Sequence, residues 1–297
     1  MSLTIWTQWD DLQVPAEFEK LSPGNFPLET SDLSKINFYV PTYMSGKVGL
    51  EFTRQMANLK YLQMPNAGYE DALPYARTGI TLCNARGVHD ASTAELAIGL
   101  AIAARRGFSD FASAQQRGEW AHRRYQSLND SKIAIVGAGS IGNTLARYLD
   151  VYDVELKSFS RSGENGSIKM SEFDKQISTF DVIFLILPLN AESKNLFDAT
   201  RLKAMKSGAT LVNVARGAIV NTDALVEVLN AGHISAGLDV TDPEPLPGGH
   251  PLWSAKNCVI SPHVGGDSTA FDSRCKKLVE EQLIRLLNNQ PLINIVN

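Results

Sequence analysis

The chain has 297 residues, of which 44% are hydrophobic and 20% are charged, and its formal net charge is −4 at pH 7. This length suits two ordinary domains, and a mildly acidic chain without a basic run is a poor candidate for nucleic-acid binding. No segment approaches the roughly 18 apolar residues that span a bilayer, and the first residues lack a signal-peptide pattern. Cys83, Cys258 and Cys275 lack metal-ligand spacing and favour a reducing compartment. We therefore expect a cytoplasmic protein with no metal, membrane or nucleic-acid partner.

Short apolar runs alternate with helical patterns along almost the whole chain, which is typical of βαβ units with a mostly parallel sheet. The first third predicts a small α/β domain with a helix at Gly49–Ala57. Its predicted strands are Leu3–Thr7, Asn37–Val40, Tyr61–Met64 and Ile80–Cys83. A nearly all-apolar helix follows at Ser92–Arg106, which we expect to be buried between domains, with Ser92 and Glu95 as its capping box. The polar segment Arg117–Asp130 then connects to a second domain.

The second domain opens on a buried strand and continues as further strands with helices between them. The predicted strands are Lys132–Val136, Glu155–Phe159, Val182–Leu187, Thr210–Val214, Ser235–Asp239 and Cys258–Ser261. The predicted helices are Ile141–Val151, Ser171–Ser178 and Thr222–Ala231. A long amphipathic helix, Thr269–Leu287, begins after this domain is complete, which favours its return to the first domain.

The turn after the first strand of the second domain has the sequence Gly137-Ala138-Gly139-Ser140-Ile141-Gly142. A bare G-x-G-x-x-G is a weak signal, but between a strand and a helix it predicts a dinucleotide site. Gly137 permits the tight turn, Gly139 lets the backbone approach a pyrophosphate, and Gly142 lets the helix pack close to the strand. Free N–H groups at the helix start favour the phosphates.

The next strand ends at Ser160-Arg161-Ser162, where an NAD-selective site usually has Asp or Glu for the ribose 2′-hydroxyl. A guanidinium and two hydroxyls suit a 2′-phosphate, because arginine pairs with phosphate bidentately. We therefore predict NADP(H) as the preferred cofactor, with NAD possible. The alternative is that Arg161 is solvated and that Glu164 in the same loop binds the ribose of NAD.

Arg216, Glu244 and His263 follow three later strands, at the edge where doubly wound sheets bind ligands. Reduction of a 2-oxo acid needs a fixed cation for the carboxylate and carbonyl, and a proton donor for the developing alkoxide. Arg216 supplies the cation, and His263 is the natural donor because its pKa lies near neutrality. Glu244 would raise that pKa. Each residue alone could have an ordinary structural role, but together they indicate a hydride-transfer site.

These motifs resemble the D-isomer-specific 2-hydroxyacid dehydrogenase family, and the resemblance covers the chain from about Leu59 onward. The Ser160–Ser162 ending resembles its NADP-preferring glyoxylate/hydroxypyruvate reductase branch. Further matching segments are Asn66–Gly68, Cys83–Val88, Ala94–Glu95, Asn213–Gly217, the Glu244 loop, His250–Trp253 and Ser261–Gly266. Residues 1–58 have much less of the pattern.

The resemblance implies an α/β fold with two doubly wound parallel-sheet domains and a cleft between them. A Rossmann cofactor domain, residues 95–264, is expected to be inserted in a flavodoxin-like substrate domain built from residues 1–94 and 265–297. Family members are usually homodimers through the cofactor domain. The region Ser92–Tyr125 would contribute to that interface.

The resemblance also implies roles for individual residues. Arg216 would bind the substrate carboxylate and carbonyl, His263 would be the acid/base, and Glu244 would pair with His263. The backbone of Ala67 and Gly68 would bind the substrate carboxylate. Asp239 would contact the nicotinamide amide and Pro188 would line the adenosine side. Further cofactor contacts are expected at Ser140, Ile141, Ala215 and His263.

Three departures from the family pattern leave substrate size and identity open: Tyr43 and Met44 in an early loop, and Tyr69 after the carboxylate loop. His89 and Asp90 are interpreted as a cap and hinge before the long helix. Two alternative functions remain. One is an NAD-linked dehydrogenase of a bulkier or phosphorylated substrate. The other is a nucleotide-sensing binding protein, which has no need of a proton donor. Formate-oxidising relatives have Gln where Glu244 stands.

Overall fold

The computed structural model describes residues 3–164 and 166–297. The chain divides into two compact units, of which the first contains residues 1–89 and 269–297 and the second contains residues 90–268. These bounds lie a few residues from the predicted domain boundaries, and the roles of the two domains remain predictions. Among the described residues, no helix has the length and apolar character needed to cross a membrane.

The strands of the two units are numbered here in chain order. Those of the first unit are β1 Thr4–Trp6, β2 Glu19–Leu21, β3 Phe38–Tyr39, β4 Tyr61–Gln63 and β5 Thr81–Cys83. Those of the second unit are β6 Lys132–Val136, β7 Glu155–Ser160, β8 Ile168–Lys169, β9 Val182–Leu185, β10 Thr210–Asn213, β11 Ser235–Leu238 and β12 Cys258–Ile260.

Helices follow several of these strands, as βαβ units require. They are α1 Gly46–Glu51, α2 Asp90–Arg105, α3 Phe108–Gln116, α4 Ser140–Leu149, α5 Ala199–Ala204, α6 Thr222–Asn230 and α7 Phe271–Leu287. The last of them, α7, belongs to the first unit, where Phe271, Cys275 and Val279 are buried against Ile5 and Phe38 of the sheet.

The five-stranded sheet of the first unit is wholly parallel, with the order β2-β1-β3-β4-β5. This is the flavodoxin-like order, whose ligand edge lies at the carboxyl ends of the strands near the β1–β3 switch point. Strand β2 was not predicted, because Glu19 is exposed and Lys20 half-buried in this short edge strand, so it lacks an apolar run.

The seven-stranded sheet of the second unit is also parallel, with the order β12-β11-β10-β9-β6-β7-β8. This is the Rossmann order with one added strand, and the strand order reverses between β6 and β9. Helix α2 packs against β11, where Gly237 leaves room for it, because a Cβ there would lie 2.8 Å from the Cβ of Leu100. The structure thus confirms the predicted fold class of two parallel α/β sheets.

Two predicted local structures are wrong. Helix α2 begins at Asp90, so Ser92 lies within the helix rather than at its N-cap, and its hydroxyl bonds instead to that of Ser268 at 2.7 Å. The predicted helix at Ser171–Ser178 is absent. Two short 3₁₀ turns, Met170–Glu172 and Ile177–Thr179, take its place. Helices α3 and α5 and the short strand β8 were not predicted.

Candidate active site

The glycine-rich turn joins β6 to α4 and its three glycines differ in what surrounds them. A Cβ on Gly137, whose φ is +119°, would lie 1.9 Å from the carbonyl oxygen of Ile186, and one on Gly142 would lie 2.1 Å from the carbonyl oxygen of Gly137. A Cβ on Gly139 would meet no protein atom within 4 Å. Internal packing therefore explains two of the glycines, whereas open space at the third fits the approach of a dinucleotide phosphate to the start of α4.

The loop after β7 contains the predicted ribose-binding residues. The hydroxyl of Ser160 accepts a hydrogen bond from the N–H of Gly163 at 3.0 Å and lies 2.7 Å from the hydroxyl of Ser167. Ser160 thus shapes the loop with its side chain, which the sequence did not predict. Arg161 and Ser162 are exposed and remain accessible to a ligand at this strand end.

Arg161 pairs across the sheet edge with a residue that sequence reasoning missed. Its Nη1 lies 3.4 Å from Oε2 of Glu192, and both side chains are largely exposed. The backbone of Glu192 is fixed in a turn after β9, where its N–H and that of Ser193 donate to Oδ1 of Asn190. The buried hydroxyl of Ser193 donates to the carbonyl oxygen of Pro188. A cofactor phosphate at Arg161 would therefore have a carboxylate nearby.

The loop after β10 contains Arg216 and is braced from within. Asn213, the last residue of β10, is buried; its Oδ1 accepts from the N–H of Ala215 at 3.1 Å and its Nδ2 donates to the carbonyl oxygen of Arg216 at 2.9 Å. The half-buried Arg216 side chain donates from Nη1 to the carbonyl oxygen of Ala215 at 2.7 Å. A Cβ on Gly217 would lie 1.9 Å from the carbonyl oxygen of Thr241, so this loop packs tightly against the loop after β11.

His263 and Glu244 form a direct pair at this edge of the sheet. Nδ1 of His263 lies 2.5 Å from Oε1 of Glu244. That hydrogen bond and the charge of Glu244 raise the pKa of His263 above its usual value, although partial burial and the charge of Arg216 oppose the rise. Burial works to raise the pKa of Glu244, but the hydrogen bond and charge of His263 lower it overall. A proton on Nδ1 directed at the carboxylate leaves Nε2 as the atom that exchanges a proton with a ligand.

The backbone at His263 is held in an unfavourable conformation. Its φ is +56°, in the left-handed region that costs a residue with a side chain roughly 1–2 kcal/mol. Asp239, which follows β11 and is 2% exposed, compensates by hydrogen bonding. Its backbone carbonyl accepts from the N–H of His263, Oδ1 accepts from Ser261 and Val264, and Oδ2 accepts from Gly265. The predicted nicotinamide contact of Asp239 stays a prediction; what the structure shows is a brace for the His263 loop.

The predicted carboxylate-binding loop follows β4 in the first unit. The carbonyl oxygens of Asn66 and Ala67 accept from the N–H of Ala85 and from Nδ2 of Asn84. Among residues 3–164 and 166–297, no protein acceptor engages the N–H groups of Ala67 and Gly68. The loop is therefore anchored through its carbonyl groups while these two donors remain available to an anion.

The aromatic residues near this loop have packing partners inside the first unit. Tyr43 stacks on Phe271 of α7, with ring centroids 3.8 Å apart and an interplanar angle of 22°. His89 is buried, lies parallel to Phe271 and has Nε2 2.9 Å from the carbonyl oxygen of Pro65. Met44 is half-exposed and its sulfur lies 3.7 Å from Nδ2 of Asn66. Met44 thus borders the carboxylate loop, whereas Tyr43 and His89 pack in the unit.

Comparison with known proteins identifies the family. A family model described as D-isomer specific 2-hydroxyacid dehydrogenase, NAD binding domain, matches residues 98–265. A glyoxylate reductase/hydroxypyruvate reductase of Homo sapiens is 30% identical over 251 residues, which cover 80% of this chain and 76% of the relative. A D-3-phosphoglycerate dehydrogenase of Archaeoglobus fulgidus is 28% identical over 261 residues, which cover 84% of this chain and 50% of that one.

A solved structure shows the same fold. A D-isomer specific 2-hydroxyacid dehydrogenase family protein from Aeromonas salmonicida is 26% identical, with a TM-score of 0.87 over 100% of this chain and 99% of the other. Together with the family model, this similarity confirms the family resemblance and the fold class that the sequence predicted. The relatives are named for different substrates, among them glyoxylate, hydroxypyruvate and 3-phosphoglycerate.

Proposed function

We propose a reaction from the premise that the chain belongs to the D-isomer-specific 2-hydroxyacid dehydrogenase family, whose members are NAD(P)-dependent oxidoreductases acting on CH–OH donors. The reaction is reduction of a small 2-oxo acid, of the glyoxylate or hydroxypyruvate type, to the D-2-hydroxy acid, with NADP(H) as preferred cofactor. The observation that carries the proposal is the His263–Glu244 pair beside Arg216, in a sheet whose glycine turn after β6 has open space for a phosphate.

Arg216 is proposed to bind the substrate. Its guanidinium offers five donors in a planar fork, which suits a carboxylate and an adjacent carbonyl oxygen. The N–H groups of Ala67 and Gly68 are also proposed to bind the substrate carboxylate. These fixed donors favour the transition state because negative charge develops on the carbonyl oxygen as it becomes an alkoxide.

His263 is proposed to deliver the proton. The chemistry that the cofactor supplies when bound is a hydride for the carbonyl carbon. The alkoxide oxygen then takes the proton from Nε2 of His263, while the proton on Nδ1 stays hydrogen-bonded to Glu244. The hydrogen bond and charge of Glu244 raise the pKa of the imidazole, which favours its protonated form, and the hydrogen bond fixes its orientation. In the oxidation direction, neutral His263 accepts the hydroxyl proton.

The preference for NADP(H) rests on Arg161 and Ser162, which are exposed where a ribose 2′-phosphate would lie. Two carboxylates are relevant to this preference. Glu192 pairs with Arg161 and would weaken a phosphate contact, and Glu164 in the same loop is the residue that would bind the 2′-hydroxyl of NAD instead. We therefore expect a preference for NADPH that still permits NADH turnover.

A homodimer is proposed from exposed aromatic side chains around α3. Phe108 and Phe111 are 52% and 40% exposed, and Trp120 in the following segment is 96% exposed. Large apolar side chains of this kind are typical of protein interfaces rather than of solvated surfaces. Size-exclusion chromatography with light scattering, on the wild type and on Trp120→Ala, tests this proposal.

The function is tested by following reduced-nicotinamide absorbance with NADPH or NADH against glyoxylate, hydroxypyruvate, 3-phosphohydroxypyruvate, pyruvate, phenylpyruvate and 2-oxoisocaproate. We expect NADPH with glyoxylate or hydroxypyruvate to give the largest kcat/KM, and chiral chromatography to identify D-glycerate from hydroxypyruvate. A best rate with NADH and 3-phosphohydroxypyruvate or a bulky oxo acid would favour the NAD-linked alternative. Cofactor binding without turnover across the panel would favour a nucleotide-sensing protein.

A further inference from the structure

Asn213 is a buried polar residue to which the proposed mechanism gives no role. It is the last residue of β10 and is 1% exposed. Buried amides in folded proteins are hydrogen-bonded, and here both polar atoms of the side chain act on one short loop. Oδ1 accepts from the N–H of Ala215, and Nδ2 donates to the carbonyl oxygen of Arg216.

These two hydrogen bonds define where Arg216 leaves the sheet. One fixes the Val214–Ala215 peptide group, one residue before Arg216, and the other fixes the carbonyl group of Arg216 itself. Asn213 binds the N–H of Ala215, and the carbonyl oxygen of the same residue accepts a hydrogen bond from Nη1 of Arg216. The backbone and the guanidinium are therefore set by the same few atoms, so a rotation of this loop would displace the cation.

The hydrogen bonds continue from Asn213 to the proton donor. The backbone oxygen of Asn213 accepts from the N–H of Asp239 at 2.9 Å, and the backbone oxygen of Asp239 accepts from the N–H of His263 at 2.8 Å. Arg216 and His263 are thus joined by three consecutive hydrogen bonds through two buried residues at neighbouring strand ends.

We propose that Asn213 is a positioning residue for the reaction, which sets the guanidinium of Arg216 relative to His263 through its two side-chain hydrogen bonds. The proposal rests on the proposed role of Arg216 in binding the substrate carboxylate. Only an amide fits the position well. Aspartate offers two acceptors, so one oxygen would face the carbonyl oxygen of Arg216 and a charge would be buried. Leucine would leave the N–H of Ala215 and that carbonyl oxygen without partners.

The test uses Asn213→Asp, which is nearly isosteric, with Asn221→Asp as a matched control. Asn221 caps α6 through Oδ1, and aspartate serves equally well as an N-cap. The readouts are kcat and KM for the best 2-oxo acid, the Kd of oxamate, a non-reducible carboxylate analogue, by calorimetry with NADPH present, and the Kd of NADPH by fluorescence. We expect Asn213→Asp to weaken oxamate binding and lower kcat/KM by about tenfold or more. The Kd of NADPH should stay within experimental error, and Asn221→Asp should match the wild type.

The same substitution in an Arg216→Gln protein separates a positioning role of Asn213 from a general structural effect. In Arg216→Gln, adding Asn213→Asp should change oxamate affinity by less than about twofold, because residues that act as a unit are not additive. Equal losses in both backgrounds would overturn the proposal, as would unchanged oxamate binding in a folded Asn213→Asp protein. If Arg216→Gln itself leaves oxamate binding unchanged, the proposed role of Arg216 fails instead.

Folding is checked by thermal unfolding and by the Kd of NADPH. If Asn213→Asp does not fold, Asn213→Ser replaces it, because a hydroxyl can make one of the two bonds without adding a charge. That variant should lose an intermediate part of the oxamate affinity. Full retention of affinity by the serine variant would overturn the proposal.

Discussion

Two parts of the same sheet edge in the second unit are constructed differently. The loops after β10, β11 and β12 hold Arg216 and His263 through buried polar side chains, Asn213 and Asp239, which are 1% and 2% exposed. The loop after β7 presents Arg161 on the surface, where its partner Glu192 is also exposed. Buried hydrogen bonds in a low-dielectric surrounding fix geometry strongly, whereas an exposed ion pair contributes little and is screened by salt.

This difference separates the reaction from the choice of cofactor. Proton transfer requires atoms held within fractions of an ångström, and the groups that we propose for it are held by buried hydrogen bonds at the strand ends. Discrimination between NADPH and NADH requires only a charge near the 2′ position. We therefore expect substitutions in the two regions to change different measured quantities, and the predictions below are ordered from the largest effect to the smallest.

Replacing His263 should give the largest effect. We expect His263→Asn to lower kcat for reduction by about 10³-fold, because general acid catalysis contributes that order of rate. The Kd values of NADPH and NADH should change little. Stopped-flow kinetics with fluorescence titrations check this, and a loss of less than about tenfold would exclude His263 as the main proton donor.

Replacing Arg161 should change only the choice of cofactor. Arg161→Gln would remove the proposed charge-assisted contact to the 2′-phosphate, so we expect the ratio of kcat/KM with NADPH to that with NADH to fall by roughly 30-fold. The value with NADH should stay near that of the wild type. Steady-state kinetics at fixed ionic strength measure the ratio. An unchanged ratio would contradict the role of Arg161 and favour the alternative in which Glu164 binds the ribose of NAD.

Replacing Glu244 should shift a pH profile. The hydrogen bond and charge of Glu244 raise the pKa of His263, so in the wild type the imidazolium needed for reduction persists above its ordinary range and is lost as pH rises through the raised pKa. Glu244→Gln removes the charge, so the decline should begin at lower pH. At pH values above the pKa of His263 in both proteins, activity should be lower in the variant by about tenfold for each pKa unit lost. A profile of kcat/KM against pH measures this, and a decline at unchanged pH would contradict the role of Glu244.

The two members of this pair lose their contributions to stability at opposite ends of the pH range. The raised pKa of His263 means that its contribution is present below the unfolded-state pKa and is lost as pH rises through the folded-state value. The lowered pKa of Glu244 means that its contribution is lost as pH falls through the folded-state value.

Replacing Glu192 should give the smallest effect. Its carboxylate pairs with Arg161 and would compete with the proposed 2′-phosphate, so we expect Glu192→Gln to raise the NADPH/NADH ratio of kcat/KM by about threefold, as for one exposed charge. The increase should shrink at high salt because surface charges are screened. The matched control is Glu164→Gln, which removes a carboxylate from the loop that contains Arg161, where Glu164 is the alternative ligand for the ribose of NAD. A fall in the ratio for Glu192→Gln would mean that Glu192 orients Arg161 for the phosphate.

Local patterns explain what the sequence predicted well. The glycine turn and the residues after the strands are identifiable because each depends on a strand end and a few neighbouring positions. By contrast, the predicted helix at Ser171–Ser178 is wrong although Phe173 and Ile177 have helical spacing. Both are buried, and Phe173 packs edge-on against Phe159 at 5.1 Å, so tertiary packing uses the same apolar residues on 3₁₀ turns.

The supporting roles of Asn213 and Asp239 were not predicted either, and here the reason lies in their hydrogen-bond partners. Asn213 and Asp239 occupy recognisable motifs, but their importance lies in which backbone groups their side chains meet two to 26 residues along the chain. Glu192 belongs to a turn after β9, two strands away from β7 in the sheet. The long-range contacts of Asp239 and Glu192 depend on strand order, which a single sequence does not reveal.

The most direct measurement compares His263→Asn with Arg161→Gln in one experiment, in which kcat and the Kd values of NADPH and NADH are determined for both variants and the wild type. The account predicts that His263→Asn loses turnover with both cofactors while the ratio of the two Kd values is unchanged. It predicts that Arg161→Gln loses the Kd preference for NADPH while kcat with saturating cofactor is kept. A change of both quantities in either variant would contradict the separation of the two regions.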